Sequence, residues 1–273
     1  MTTKRLLCLD VDGTLINSQH QITAATRDAI QRADALGSVI VALVSARPPA
    51  GLDFLVKELG IAAPLACYNG AYILDSANNL VSEAWLDPQT VRSIYRMSRT
   101  LGLSFNLYKG SSWFIDQPNT WSDQEAAIIR SAYQVTDLEA LLSQWQAQGT
   151  GPNKILVMGE AAQIARFDNQ LGQSGFSSIN RALSKSTYLE ICPATITKAT
   201  ALKALQAHYG IDSSQTIAIG DNYNDLAMLE SAGLGIAMAN APDVVKMKSR
   251  AITASNDEDG VAQAIERYLL SGR

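Results

Sequence analysis

The sequence predicts an α/β protein whose parallel sheet is interrupted by a second α/β segment. Short apolar runs of strand length alternate with helical stretches at both ends of the chain, which is typical of parallel strands joined by helices. From about residue 84 the pattern changes to helices mixed with closely spaced strands, and the first pattern resumes after residue 198. The chain is therefore expected to leave a parallel sheet, build a second domain and return.

The first part of the chain repeats a unit of one strand and one helix. Continuous apolar runs fit strands that are buried on both faces. The first helix is expected to begin after Thr23, whose hydroxyl suits an N-cap, and to end at Gly37. The predicted strands are 5–9, 38–44 and 65–68, and the predicted helices are 24–36 and 49–59.

The middle of the chain predicts a separate α/β domain. Its first helix is expected to start at Asp87 and Pro88, an acidic cap followed by a proline. The predicted helices are 88–100, 122–132, 136–148 and 161–171, and the predicted strands are 104–108, 112–115, 154–158 and 186–191. This segment holds all four tryptophans: Trp85, Trp113, Trp121 and Trp145. Their large rings fit either a substrate-facing surface or the packing of a small separate core.

The last part of the chain returns to the first pattern. A helix over 198–209 is expected to end at Gly210, and the final predicted elements are a strand at 216–219 and helices at 222–230 and 257–270. We therefore predict a discontinuous core, residues 1–84 and 185–273, and an inserted domain, residues 85–184.

Composition limits the class of partner. The chain has 273 residues, 22 basic against 26 acidic residues and a net charge of −4, with no basic block that would indicate nucleic acid. After Lys4 and Arg5 the apolar run is too short for a signal peptide, and no later segment is long enough to span a membrane. We expect a cytoplasmic protein without nucleic-acid or membrane partners.

Cysteine and histidine are sparse. The cysteines, Cys8, Cys67 and Cys192, lie in apolar runs and are expected to be small buried hydrophobes in a reducing compartment. His20 and His208 have no companion at ligand spacing, so a histidine-based zinc site is not expected.

The most informative motif is Asp10-Val11-Asp12-Gly13-Thr14, which follows a buried strand. Alternate residues of an extended segment share a face, so both carboxylates can meet one small ligand. A simple turn is the alternative, because aspartate and glycine are common turn residues. A calcium-binding loop fails on spacing, since Leu15 stands where that loop needs glycine and Gln21 where it needs glutamate.

A second acidic loop follows the predicted strand 216–219. It carries Asp221, Asn224 and Asp225, which could also serve as caps of the next helix. Strand ends of one polarity share an edge of a parallel sheet, so these acids are expected to converge with the first pair. Converging carboxylates repel unless a cation holds them, and Mg²⁺ fits that need.

Two further positions near strand or helix ends offer groups for a phosphate. Ser45 with Arg47 follows the second predicted strand, where a hydroxyl and the first amides of a helix can hold phosphate oxygens. Lys198 begins a helix, where the dipole disfavours a cation, so its position hints at a functional partner. An exposed lysine and a surface arginine are the structural alternatives.

The chain carries, in this order, the Asp10–Thr14 pentad, Ser45, Lys198 and the Asp221–Asp225 loop. Together they resemble the four motifs of the haloacid dehalogenase superfamily of phosphatases. Three further segments resemble its Cof-type, sugar-phosphatase-like branch: Tyr68-Asn69-Gly70-Ala71, Ala237-Met238-Ala239-Asn240-Ala241 and Asn256-Asp257-Glu258-Asp259-Gly260-Val261. The resemblance implies a Rossmann-like parallel-sheet core with a large inserted α/β cap domain.

The resemblance also implies residue roles. Asp10 is implied to be the nucleophile that forms an aspartyl phosphate, and Asp12 the acid and base. The implied Mg²⁺ site uses the Asp10 and Asp221 carboxylates and the Asp12 carbonyl, with Asn224 and Asp225 in support, so that its metal residues are Asp10, Asp12, Asp221 and Asp225. The implied phosphate-binding or substrate-binding residues are Ser45, Arg47, Lys198, Asn69, Gly70 and Asn224.

The chain departs from the family pattern where alanine replaces glycine. Ser45-Ala46-Arg47 stands where the family usually has Thr-Gly-Arg, and Ala199 and Ala239 stand where glycines are common. Alanine narrows the choice of backbone conformation, so we expect these changes to affect loop geometry, rate and substrate fit more than the chemistry itself.

The predicted activity is Mg²⁺-dependent hydrolysis of small phosphorylated metabolites, such as sugar phosphates or phosphorylated cofactors. A phosphomutase, or a phosphometabolite-binding protein with little catalysis, is the alternative. We expect a monomer or homodimer whose cap domain chooses the substrate.

Overall fold

The structure is a computed structural model that describes residues 4–129 and 131–271. Its strands are β1 Arg5–Leu9, β2 Val39–Val44, β3 Leu65–Cys67, β4 Tyr72–Leu74, β5 Leu80–Glu83, β6 Ser104–Lys109, β7 Ser112–Ile115, β8 Gln134–Val135, β9 Lys154–Met158, β10 Ile179–Lys185, β11 Tyr188–Pro193, β12 Thr216–Gly220, β13 Leu234–Ala237 and β14 Ala251–Ile252. Its α-helices are α1 Ala24–Asp34, α2 Ala50–Leu59, α3 Pro88–Thr100, α4 Thr120–Ile129, α5 Leu138–Ala147, α6 Ala161–Gln173, α7 Lys198–Tyr209, α8 Leu226–Ser231, α9 Asp243–Lys248 and α10 Gly260–Ile265.

The chain divides into two compact units by its internal contacts. The core unit comprises the residues up to Ala46, Leu52–Ser82 and the residues from Thr197 onward. The insert unit comprises Arg47–Gly51 and Glu83–Ile196. Within the described residues, no helix combines the length and the hydrophobicity needed to cross a membrane.

The sheet of the core unit has the strand order β14-β13-β12-β1-β2-β3-β4-β5. Strands β14 through β3 pair in parallel, and β4 pairs with β3 in the antiparallel sense. The α/β class with a parallel sheet, predicted from the sequence, is confirmed. Because β1 lies between β12 and β2, the loops that leave these three strands start side by side at one edge of the sheet.

Strand β1 is buried on both faces, as its unbroken apolar run predicts. Leu6 and Cys8 belong to a hydrophobic cluster that also contains Leu202 and Leu205 of α7. Leu7 and Leu9, which point to the opposite face, are also buried, and α1 packs against β2 and α10. Helices therefore cover the central strands, which leaves the strand-end loops as the accessible part of the sheet.

All three cysteines are buried and free. Burial raises the pKa of the Cys8 and Cys192 thiols to about 12. These thiols behave as the small hydrophobes that the sequence predicts.

The insert unit has its own mixed sheet, with the strand order β10-β11-β9-β6-β7-β8. One face packs Phe105, Ile155 and Leu189 into a cluster with residues of α3, α5 and α6. The opposite face carries polar groups, including an ion pair of 2.9 Å between Lys154 and Glu190.

The four tryptophans of the insert unit differ in burial. Trp145 lies in the cluster described above, and Trp113 is buried and stacks on Tyr108. Trp85 is 43% exposed and Trp121 is half-buried. Packing in the small core of the insert unit therefore accounts for Trp145, while Trp113 is buried outside that cluster.

Several element boundaries differ from the sequence prediction. The predicted helix 222–230 is a short 3-10 helix, Tyr223–Asp225, followed by α8. The predicted helix 257–270 begins only after Asp259, whose left-handed backbone interrupts it, and it ends in a π-helix, Glu266–Leu270. The predicted helix 122–132 includes residue 130, which lies outside the described residues. The strands absent from the prediction are β4, β5, β8, β10, β13 and β14.

Replacing Leu202 with alanine is expected to lower the free energy of unfolding by about 2–5 kcal/mol, since its fully buried side chain would leave a cavity under α7. The matched control is Leu80→Ala, because Leu80 is 53% exposed and its loss should change stability by less than about 0.5 kcal/mol. Urea denaturation followed by circular dichroism measures both. Equal losses in the two variants would contradict the proposed packing of α7.

Candidate active site

The site is built where β1, β2 and β12 end and α7 begins. Asp10 follows β1 and is 4% exposed, and its N–H donates to the carbonyl of Ile219 in β12 at 3.0 Å. Ser45 follows β2 and is 2% exposed. Lys198, the first residue of α7, is also 2% exposed. Three polar side chains that sequence analysis singled out are thus buried at one edge of the core sheet.

Lys198 connects the two acidic loops. Its ammonium pairs with the Asp10 carboxylate in a short contact and with Asp225 Oδ1 at 2.6 Å. All three side chains are almost fully removed from solvent. An ion pair as buried as this one requires both carboxylates, because an unpaired buried ammonium would be strongly destabilising.

The start of α7 explains why a cation can occupy this position. Thr197 is the N-cap: its hydroxyl accepts from the N–H of Thr200, and its own N–H donates to the Thr200 hydroxyl. The cap satisfies the first amides of the helix, whose dipole disfavours the ammonium. The two carboxylates supply the compensating negative charge.

Asp225 is fully buried, and both of its carboxylate oxygens are engaged. Oδ1 accepts from Lys198, and Oδ2 accepts from the N–H groups of Asp221 and Asn222 at 3.0 and 2.9 Å. These bonds shape the loop after β12. The geometry therefore gives Asp225 a role in holding Lys198 and the Asp221 backbone.

Asp221 faces the first loop. Its Oδ1 accepts from the hydroxyl of Thr14 at 2.8 Å. Gly13 has φ +83°, and a Cβ atom placed on it would overlap the Asp221 carboxylate. Glycine is needed here both for the backbone conformation and for the close approach of the two loops.

The carboxylates of Asp10, Asp221 and Asp225 form a cluster whose ligand atoms lie within 4.8 Å of one another. One ammonium against three carboxylates leaves excess negative charge in a buried place. Burial raises the pKa of Asp10 well above its usual range, Asp225 raises it further, and Lys198 opposes the rise. Burial also raises the pKa of Asp221.

Lys198 remains charged in this cluster. Burial by itself would lower its pKa, but the carboxylates of Asp10 and Asp225 hold the pKa above its usual value. The remaining negative charge and the oxygen donor set fit a hard divalent cation such as Mg²⁺. Asp10 and Asp221 are the residues best placed to hold it directly, since the Asp225 oxygens are engaged by the protein.

Asp12 occupies a different environment. Its side chain is exposed, and its backbone forms an isolated bridge with Ile16. Its carboxylate is not a member of the acidic cluster found among the described residues. An exposed carboxyl next to a buried one gives the loop two acids in unlike environments.

Ser45 and Asn69 lie on neighbouring loops. The N–H of Asn69 donates to the Ser45 carbonyl at 2.8 Å, and the Ser45 N–H donates to the Ala66 carbonyl at 2.9 Å. Asn69 has a left-handed backbone, φ 58°, and its Oδ1 atom is buried without a hydrogen-bond partner among the described residues. A buried amide oxygen of this kind calls for a donor from outside the described residues, such as a water molecule or a ligand.

Gly70 has a packing role that sequence analysis did not identify. Its φ is +106°, and an added Cβ would lie 2.6 Å from the Cβ of Ala201. Ala201 stands one turn after Lys198 in α7. The absence of a side chain at Gly70 therefore lets the helix that carries Lys198 approach the loop after β3.

Two predicted residues, Asn224 and Arg47, remain. Asn224 is exposed on the 3-10 helix Tyr223–Asp225. Arg47 is half-buried and belongs with the insert unit, where it donates to the Gly51 carbonyl at 3.4 Å. Their roles toward a ligand stay predictions.

Thr14 is a functional candidate that sequence analysis missed. Its hydroxyl fixes Asp221, yet in the sequence a threonine after glycine looks like a helix cap. The sequence signal that could have identified Thr14 is its place in the same pentad as Asp10 and Asp12. A loop that places two acids at a strand end also places there the hydroxyl that follows them.

The chain is similar to known proteins along most of its length. The family model described as haloacid dehalogenase-like hydrolase matches residues 7–265. The chain is 32% identical to the 5-amino-6-(5-phospho-D-ribitylamino)uracil phosphatase YwtE of Bacillus subtilis, over 98% of this chain and 99% of that relative. It is 28% identical to phosphatase YwpJ of the same organism, over 97% of this chain and 100% of that relative.

A solved structure is similar along almost the whole chain. The crystal structure of a haloacid dehalogenase-like hydrolase from Bacteroides thetaiotaomicron has a TM-score of 0.86 and 33% sequence identity, and the match covers 97% of this chain and 99% of that chain.

Removing the buried ammonium should destabilise the core unit. In metal-free buffer near neutral pH, Lys198→Met is expected to lower the free energy of unfolding by about 3–5 kcal/mol, because it leaves two buried carboxylates without compensation. Lys203→Met is the matched control, since Lys203 is an exposed residue of the same helix.

The same variant has an expected pH dependence. Loss of Lys198 raises the already elevated pKa of Asp10 further, so the folded variant binds a proton that the unfolded chain releases above a pKa of about 3.9. Because Asp10 already has a raised pKa in the wild type, the stability loss should be smallest below that pKa and should grow as the pH rises above it. A pH-independent loss measured by urea denaturation would contradict this electrostatic account.

Proposed function

The chain belongs to the haloacid dehalogenase-like hydrolase family, and from that premise we propose that it is a Mg²⁺-dependent phosphatase of small phosphorylated metabolites. The resemblance to this family and to its Cof-type branch, drawn from the sequence motifs, is confirmed. The observation that carries the proposal is the buried Lys198 ammonium bound to the Asp10 carboxylate. A nucleophile and a cation for the transferring group are paired there at the end of the central strand.

Asp10 is the proposed nucleophile. Its carboxylate oxygen forms a bond to phosphorus while the bond from phosphorus to the leaving oxygen breaks, and the product is an aspartyl phosphate and the alcohol. Water then attacks phosphorus and releases phosphate and the free carboxylate. The pairing with Lys198 supports this role, because it keeps the buried side chain oriented and favours its charged form.

Asp12 is the proposed acid and base. It gives a proton to the leaving oxygen and takes one from the attacking water. Its exposure supports the role, because water can reach its carboxyl, whereas the neighbouring Asp10 is buried.

The Asp10 and Asp221 carboxylates and the Asp12 carbonyl are the proposed direct ligands of Mg²⁺, and Asp225 and Asn224 support them. When bound, Mg²⁺ neutralises charge on the phosphoryl oxygens. The chain's own contribution is to hold the ligands in place: Thr14 fixes Asp221, and Asp225 fixes the backbone of the same loop.

Ser45 and Lys198 are the proposed ligands of the phosphoryl group. Both are buried, so their interactions with phosphate oxygens are strengthened by low dielectric. Arg47 and Gly70 are each proposed to bind substrate. Asn69 is proposed to bind a hydroxyl group of the substrate. Its buried Oδ1 can accept a hydrogen bond from a hydroxyl, whereas a fully ionised phosphate has no hydrogen to donate.

The proposed substrate is a phosphate ester of a polyhydroxylated metabolite, such as a sugar or ribityl phosphate. The relative named as a phosphatase of a phosphoribitylamino-uracil supports including that compound in a substrate screen. We propose that residues 85–184 form a cap domain that selects among such substrates. Three free, buried thiols support a cytoplasmic location.

Asp10→Asn is expected to lower phosphate release by at least about a thousandfold, since the amide is a poor nucleophile. The matched control is Asp243→Asn, because the Asp243 side chain is 88% exposed on α9. Release of phosphate from p-nitrophenyl phosphate and from the metabolite panel, with Mg²⁺ added, measures both variants. An undiminished rate in a folded Asp10→Asn variant would exclude the mechanism.

With p-nitrophenyl phosphate, whose leaving group needs little help from an acid, Asp12→Asn is expected to slow the second step more than the first, so that the aspartyl phosphate accumulates. Rapid denaturation and mass spectrometry should find one added phosphoryl group on the peptide that contains residue 10.

Hydrolysis in ¹⁸O-labelled water tests the alternative enzyme: label in released phosphate supports a phosphatase, and sugar isomerisation without label supports a phosphomutase. Tight binding without turnover across the panel would support the non-catalytic alternative.

A further inference from the structure

Two asparagine side chains outside the proposed reacting set hold the loop that carries Asp12. Asn240 follows β13 and Asn256 follows the edge strand β14. Both lie in segments that the sequence analysis used for the family resemblance without assigning them a role. We call Asn240 and Asn256 the amide brace.

The hydrogen bonds of the amide brace join three loops. Asn240 Nδ2 donates to the Gly13 carbonyl at 2.9 Å, and Asn240 Oδ1 accepts from the N–H of Asn256 at 3.1 Å. Asn256 Nδ2 donates to the Ile16 carbonyl at 3.0 Å. Each partner fixes the orientation of the amide, because a carbonyl requires the nitrogen end and an N–H requires the oxygen end.

The carbonyls that the brace holds belong to the turn beside the acidic cluster. Gly13 packs so closely on Asp221 that it has no room for a side chain. Its neighbour Thr14 donates to Asp221 Oδ1 at 2.8 Å. A continuous path of hydrogen bonds and backbone thus leads from Asn256 through Asn240, Gly13 and Thr14 to the Asp221 carboxylate.

The sheet order explains why residues so distant in sequence meet. Strands β14, β13 and β12 are consecutive neighbours on one side of β1, and they all run parallel to it. Their following loops therefore emerge along the edge where Asp10 and Asp221 lie. A third bond from the same region, Asp257 Oδ1 accepting from Ser18 N–H at 2.8 Å, holds the chain just beyond Ile16.

We propose that Asn240 and Asn256 are positioning residues that set the affinity of the acidic cluster for its divalent cation. This inference rests on the proposed function, because it assumes that Asp221 holds the ion. Asn240 fixes the peptide between Gly13 and Thr14, and the Thr14 hydroxyl then fixes the direction of the Asp221 carboxylate. Partners of this kind, which orient a ligand without touching the ion, commonly change metal affinity by about 10–100-fold when they are removed.

The test compares Asn240→Ala and Asn256→Ala with Asn79→Ala in the full chain. Asn79 is the matched control, because it is an exposed core-unit asparagine whose Nδ2 donates to Asp75 at 3.0 Å. Mg²⁺ binding to the metal-free protein is measured by titration calorimetry. The metal dependence of phosphate release and the melting temperature without metal are measured alongside.

We expect Asn240→Ala to weaken Mg²⁺ binding about tenfold. Asn256→Ala should have a smaller effect, since its backbone N–H still supports Asn240. The double variant should lose less than the product of the single losses, because the two side chains act on one turn. At saturating Mg²⁺ the turnover number should recover and KM for substrate should stay unchanged, which a general loss of structure would not allow.

Unchanged Mg²⁺ affinity in Asn240→Ala, with wild-type protein that binds Mg²⁺, would overturn the inference and leave the proposed function standing. A weakened activity that high Mg²⁺ does not restore would overturn it as well. Asp221→Asn provides the reference for the proposed function itself. If wild type and Asp221→Asn bind Mg²⁺ equally or not at all, the metal site and the inference both fail.

Discussion

The buried ammonium of Lys198, held between the carboxylates of Asp10 and Asp225, is the interaction on which the rest of the site depends. Its partners lie 188 and 27 residues away in sequence. Charges removed from water to this degree are tolerated only when they are paired and hydrogen-bonded, so the three groups constrain one another's positions. The first strand, the loop after β12 and the start of α7 are thereby held to a common point.

Backbone packing makes this pairing possible. Gly70 has no side chain and lets α7 approach at Ala201, and Gly13 has none and lets the first acidic loop contact Asp221. The hydroxyl of Thr14 and the amides that bind Asp225 then orient the second acidic loop. The result is a buried set of oxygens with excess negative charge next to one fixed cation, which is the environment expected of a proposed phosphoryl-transfer centre.

Much of the core could be predicted from sequence because its signals are local. Buried parallel strands such as β1 are continuous apolar runs, and Thr23 and Asp87 cap the helices that they were expected to start. The acidic residues after β1 and β12 could be expected to converge because parallel strands end at one edge. The misplaced charge of Lys198 at a helix start was also visible in sequence, although its two partners were not.

The features that sequence analysis missed depend on tertiary contacts. Strands β13 and β14 are too short to show periodicity and exist because neighbouring strands pair with them. Gly70 is needed because Ala201 packs against it, and Thr14 is important because it donates to Asp221. A local sequence pattern reveals neither contact.

The most direct measurement of the central claim is a crystal structure of the chain with Mg²⁺ and beryllofluoride, a mimic of an aspartyl phosphate. The account predicts beryllium bound to an Asp10 carboxylate oxygen, with Lys198 and Ser45 on its fluorides. Beryllofluoride on another residue, or Mg²⁺ bound away from Asp10 and Asp221, would contradict it.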